Sequence, residues 1–126
     1  MSAQDHLAGG QLAAAISNAV VRITADYTGR GPTQARTTIG TDSVSIIIRD
    51  ALTKAERRLY ELGEGQWVLQ TRHKFPHAMR EDLVEAVTTL TGRRVLAFMS
   101  DSHLDPDMAV EFFVLEPEPG AEVVEG

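Results

Sequence analysis

The sequence predicts a two-layer α+β domain, in which two β-hairpins form one four-stranded antiparallel sheet and helices pack on one of its faces. Three observations predict it. Leu12, Ile16, Ala19, Val20, Ile23 and Tyr27 recur at spacings of three and four, the signature of a helical face. Residues 34–50 and 95–115 each read as two β-rich runs around a polar turn. Between them lies a long section of helical period. The element order is therefore α-β-β-α-α-β-β.

The first helix runs from about residue 9 to 28, and Gly29, Gly31 and Pro32 end it. Glycine accepts the left-handed geometry that follows a helix, and proline prevents resumption. In the first hairpin, Arg36-Thr37-Thr38-Ile39 is rich in β-branched residues, and Gly40-Thr41-Asp42 supplies the turn. Val44, Ile46 and Ile48 then alternate with Ser43, Ser45 and Ile47. Thr53-Lys54-Ala55-Glu56 is a capping box: the threonine hydroxyl accepts the amide of residue 56, and the Glu56 carboxylate accepts the amide of residue 53. Leu52, Leu59 and Leu62 anchor that helix, and Gly63 and Gly65 interrupt it. Helical character resumes at Gln66, with Trp67, Val68 and Thr71 near the core. Pro76 is either a kink or the first turn of another helix. Met79, Leu83, Ala86, Val87 and Leu90 form a third stripe, closed by Gly92. The last hairpin pairs residues 95–99 with residues 108–115 around Asp105-Pro106-Asp107.

With 126 residues, the chain suits one domain and one core. The expected organisation is a frayed N-terminus over 1–9, the domain over 10–116 and a disordered acidic tail over 117–126. Hydrophobic content of 43% with 24% charge is that of an ordinary globule. The absence of cysteine excludes disulfides, thiolate zinc sites and thiol nucleophiles. The N-terminus lacks the basic and apolar regions of a signal peptide. No apolar run approaches the roughly 20 residues that span a bilayer, so direct membrane insertion is not expected and the expected location is the cytoplasm. The net charge of −6 is uneven: residues 1–50 sum to zero, residues 51–100 to +2 and residues 101–126 to −8.

Few motifs carry chemistry. His73 and His77 stand four apart, a metal-ligand spacing, but Pro76 lies between them and no zincin glutamate accompanies them. The bland reading is solvated histidines. Asp101, Asp105 and Asp107 crowd a turn with His103; they lack the glycine and closing glutamate of an EF-hand, and a polar turn accounts for them. There is no Gly-x-Ser-x-Gly elbow, and neither Gly29-Arg30-Gly31 nor Gly63-Glu64-Gly65 continues into a phosphate loop. No cofactor is called for, and catalysis finds no motif. Arg57, Arg58, Arg72, Lys74, Arg80, Arg93 and Arg94 read as a solvated helical face pairing with Glu56, Glu61, Glu81 and Glu85. No aromatics are interleaved for stacking, which argues against nucleic acid. Two surfaces stand out as candidate sites. The turn Tyr27, Gly29, Arg30, Gly31, Pro32 places one cation between glycines, where it either caps the helix or meets a carboxylate or phosphate. Ile47, Phe98, Phe113 and Leu115 crowd the nominally outer sheet face, which either a second subunit, making a homodimer, or a wrapping helix would cover.

Tyr27, Gly29, Arg30, Gly31 and Pro32 after an amphipathic helix, then Leu52, Thr53, Ala55 and Glu56 opening a helix, then Leu90, Thr91 and Gly92 before the final hairpin, together resemble the bacterial MpsC-like family. The likeness spans roughly residues 10–115. Its Gly-Arg-Gly-Pro element is fairly specific; the other two are generic caps. The family, long a domain of unknown function, is named for a sodium-translocating, membrane-potential-generating system. The resemblance implies an accessory or regulatory domain beside a membrane system for cation or inorganic-carbon uptake, and it supplies no catalytic residues. The alternatives are a small-anion or nucleotide-binding module centred on Arg30, and an interaction protein whose acidic tail engages basic partners.

Overall fold

A computed structural model describes residues 9–29 and 34–118. The elements are α1 (Gly9–Thr28), β1 (Gln34–Ile39), β2 (Ser43–Arg49), α2 (Lys54–Glu61), α3 (Gly65–Thr91), β3 (Val95–His103) and β4 (Met108–Leu115). The expected order and the two-layer α+β class both hold. The four strands form one antiparallel sheet in the order β1-β2-β4-β3, so the two hairpins join through β2 and β4, with Ile46 opposite Glu111 and Val44 opposite Phe113. Each hairpin thus contributes one central and one edge strand.

Helix α1 lies over β1, α3 lies over β3, and the two helices pack on each other. Between them and the sheet sits one core, in which Ile16 and Val20 of α1, Val44 and Ile46 of β2, Leu83 and Val87 of α3, and Phe113 and Leu115 of β4 are essentially out of water. Burial of each such side chain contributes about 1.5–3 kcal/mol, which is why the apolar stripes alone select this packing.

The capping box forms as expected: Thr53 Oγ1 accepts the Glu56 amide at 3.1 Å, and Glu56 Oε1 accepts the Thr53 amide at 2.8 Å. Helix α2 stops where Gly63 takes φ +88°, a left-handed value that only glycine adopts cheaply. Pro76 lies inside α3, which runs unbroken for 27 residues. Its missing N–H leaves the carbonyl of Arg72 without a helical partner. Packing of Met79, Leu83 and Val87 in the core, with Phe75 against it, outweighs that loss.

Three expectations change. Leu62, the C-cap of α2, and Trp67 are largely exposed, at 63% and 52%; in the first turn of α3 Val68 is the buried residue. The last hairpin is longer than expected, with β3 paired through His103 to Met108. Phe113 and Leu115 lie inside the core rather than on the outer face, because the register places them beside Val44 and under the helices. The parity of β4 is thus offset by one: Val110, Phe112 and Val114 face outward, and Glu111 faces in. A one-residue shift in strand register exchanges every side chain between faces.

Candidate functional site

Two adjoining recesses concentrate the polar chemistry between α3 and the sheet. The outer one is a cleft of about 460 Å³ between α3 and the edge strand β3. On α3, His73, Pro76, His77 and Arg80 follow one another at helical spacing along its wall; Phe98, Ser100, Asp101 and Ser102 of β3 form the other wall. His73 Nε2 stands 3.5 Å from Asp101 Oδ1, and both side chains are well exposed. The Arg80 guanidinium lies 5.9 Å from the centre of the Phe98 ring. Phe98 in turn tilts against Phe113 at 4.9 Å between centroids. Phe98 therefore joins the core edge to the cleft, and does not stand on the outer face.

The inner recess is a cavity of about 30 Å³ under the same wall. Pro76, Ser100 and Ser102 line both spaces. Thr24 and Thr28 of α1, Arg72 of α3 and Glu111 of β4 bring polar groups to it. Arg72 is buried and fully committed on one side: its Nε donates to Glu56 Oε2 at 2.9 Å, while its Nη2 donates to Glu56 Oε1 and to the carbonyl of Ala51. The guanidinium also lies 5.6 Å from the Phe75 ring centre. This planar two-point pairing is what arginine, not lysine, supplies. Glu56 therefore caps α2 with one oxygen while its carboxylate ties α2 to α3.

Glu111 differs. It is 2% exposed, and its Oε1 finds no hydrogen-bond partner among the described residues; the buried Thr24 Oγ1 is in the same position. Burial pushes the Glu111 carboxyl up to about 7 from an ordinary 4.5. Neither residue stood out in the sequence as a functional group. A signal was nevertheless present. Thr24 falls four residues after Val20 and eight after Ile16, on the apolar stripe, and Glu111 shares strand parity with Phe113 and Leu115.

The candidate residues fare unevenly. The Tyr27 hydroxyl donates to Asp82 Oδ2 at 2.8 Å, joining the end of α1 to α3, and this hydrogen bond holds the phenol above its usual range. Gly29 ends α1 in left-handed geometry, φ +77°, with its amide on the carbonyl of Ala25. Arg30, Gly31 and Pro32 lie outside the described residues, as do 1–8 and 119–126, which hold most of the expected frayed N-terminus and acidic tail. Ile47 alone of the four outer-face candidates is there, with the exposed Val110 opposite it.

Of the aspartates around the last turn, Asp107 holds distant parts of the fold together and Asp101 bonds locally. Asp107 Oδ2 accepts the Leu52 amide at 2.9 Å and faces Arg57 at 3.4 Å, and Asp101 Oδ1 accepts the Ser102 amide. His103 Nδ1 lies 2.9 Å from the carbonyl of Pro106. Among the described residues, no three His, Asp or Glu side chains gather closely enough to hold a metal ion, so His73 and His77 find no third ligand of that kind. Among the same residues, no helix is long and apolar enough to cross a membrane.

Comparison with known proteins gives two likenesses. The profile of a family described as "Na+-translocating membrane potential-generating system (MpsC)" matches residues 8–117. The "Uncharacterized protein YbcI" of Bacillus subtilis (strain 168) is 29% identical over 93 residues, which cover 73% of this chain and 75% of that protein. No solved structure matches.

Proposed function

The chain belongs to the MpsC family, and on that premise we propose that it is a non-catalytic accessory or regulatory subunit of a membrane cation system, working in the cytoplasm as a homodimer. The observation that carries the dimer is the sheet face opposite the helices. Its central strands present Ile47, Val110, Phe112 and Val114, and β3 adds Met99, 53% exposed. No helix among the described residues lies over this face. A contiguous apolar surface of this kind marks a protein–protein contact.

A second copy of the chain suits it by charge as well as by shape. One cross-sheet row reads Arg36, Ile47, Val110, Asp101, basic at the β1 edge and acidic at the β3 edge. A two-fold axis along the strand direction lays β1 of one protomer over β3 of the other. It brings Arg36 twice to the β3 edge where the partner's Asp101 stands, with the apolar pair between them; in that contact Asp101 exchanges His73 for Arg36. A stable contact of this kind buries over about 1,000 Å² in total.

Light scattering tests the reading. The expected mass is twice the 13.7 kDa of one chain, and Ile47→Glu with Val110→Glu should give a folded monomer, since both side chains point to the interface and neither enters the core. A wild-type monomer throughout the micromolar range would overturn it.

A further inference from the structure

We propose that the cavity beneath the α3–β3 cleft binds one small monovalent cation, held by the carboxylate of Glu111 and the hydroxyl oxygens of Thr24, Ser100 and Ser102. The assignment does not depend on the dimer. It rests on what the cavity is made of. Glu111 Oε1 and Thr24 Oγ1 are both shut away from water without a hydrogen-bond partner among the described residues. Thr24 and Glu111 both line this space, and polar atoms buried in a folded interior are nearly always paired. Ser100 is the register partner of Glu111 on the neighbouring strand, and Ser102 follows it on the same face.

The donor set names the ligand class. Carboxylate and hydroxyl oxygens suit hard cations. Met79 adds only a thioether, which such ions do not seek. The space of about 30 Å³ is above the roughly 10–15 Å³ that one water needs, and so has room for a small ion. Charge selects its valence. The buried ionisable groups here are Glu56, Arg72 and Glu111, and Arg72 is already neutralised by Glu56. The ionised cluster therefore sums to −1. A monovalent cation closes that balance, whereas a divalent ion leaves an uncompensated positive charge in a region where isolated charge is costly. An anion would meet the carboxylate. The cleft lies on the other side of Pro76, Ser100 and Ser102, the wall that the two spaces share.

Thermal unfolding of the full chain at pH 8, in NaCl, LiCl, KCl and choline chloride at matched ionic strength, tests the proposal. At least one alkali cation should raise Tm by about 5 °C or more over choline, since a ligand bound only by the folded state stabilises it by mass action. Glu111→Gln should remove the difference between the salts. Thr24→Val should reduce it, and serves as the second variant should the glutamine protein fail to fold. Equal Tm values in all four salts would overturn the proposal. So would a salt difference that survives in Glu111→Gln, or a larger shift with Mg2+ or Ca2+ than with any alkali ion.

Discussion

A carboxyl group on the inner face of a central strand, surrounded by Ile48, Met79 and Phe75, holds its proton far more tightly than one in water. For Glu111 the folded-state value is about 7 against an ordinary 4.5. A group raised on folding contributes stability that is fully present below its unfolded value and lost as pH rises through its folded one. The window is therefore about pH 4.5 to 7. Around Glu111, α1 presents Thr24 and Thr28, β3 presents Ser100 and Ser102, and α3 presents Arg72, the other charged group lining the cavity, already paired with Glu56. Urea unfolding in choline chloride should show the wild type losing about 3 kcal/mol relative to Glu111→Gln between pH 5 and pH 8. Parallel pH profiles for the two proteins would show that Glu111 is solvated.

At the scale of elements, α2 has only eight residues, and of these only Glu56 is buried. A helix this short is marginal on propensity alone. Its capping box closes its first turn, and the Glu56–Arg72 fork ties it to α3. Arg72→Lys keeps the charge but loses the planar pair of donors, and should cost about 2–4 kcal/mol in denaturant unfolding. Thr53→Ala removes only the cap and should cost about 1 kcal/mol. A lysine variant within about 0.5 kcal/mol of wild type would mean that α2 is held by packing. Pro76 belongs to the same scale: α3 tolerates it because Phe75 beside it and Met79, Leu83 and Val87 after it pack on the core.

For the whole molecule, the last backbone ties among the described residues are at the end of β4. Leu115 donates to the carbonyl of Asp42, Glu116 donates to that of Arg94, and Arg93 bonds the Glu116 carbonyl, the Thr41 carbonyl and Asp42. Arg93 thus gathers the β1–β2 turn, the end of α3 and the end of β4 in one place. Residues 119–126 are rich in glutamate and glycine, a composition that buries little apolar area. Truncation after Glu118 should leave Tm within a few degrees of the full chain, as measured by calorimetry. A drop of more than about 10 °C would show that Val123 and Val124 contribute to the core.

Element type and order were legible in the amino-acid sequence because they follow from local rules. The stripe from Leu12 to Tyr27, the box Thr53–Glu56, the glycines after α1 and α2 and the alternation in β2 each state their element without reference to anything distant. What local rules cannot state is the absolute face of a strand that is apolar on both sides. In β4, Val110, Phe112 and Val114 are as apolar as Phe113 and Leu115, so its parity was settled only by pairing with β2, where Val44, Ile46 and Ile48 already face the helices. That single register turned Phe113 and Leu115 into core, left Ile47 and Val110 outside, and carried Glu111 into the interior beside Thr24 and Arg72. Those three residues are widely separated along the chain, and only the packing of α1, α3 and β4 on one another makes them neighbours of one cavity.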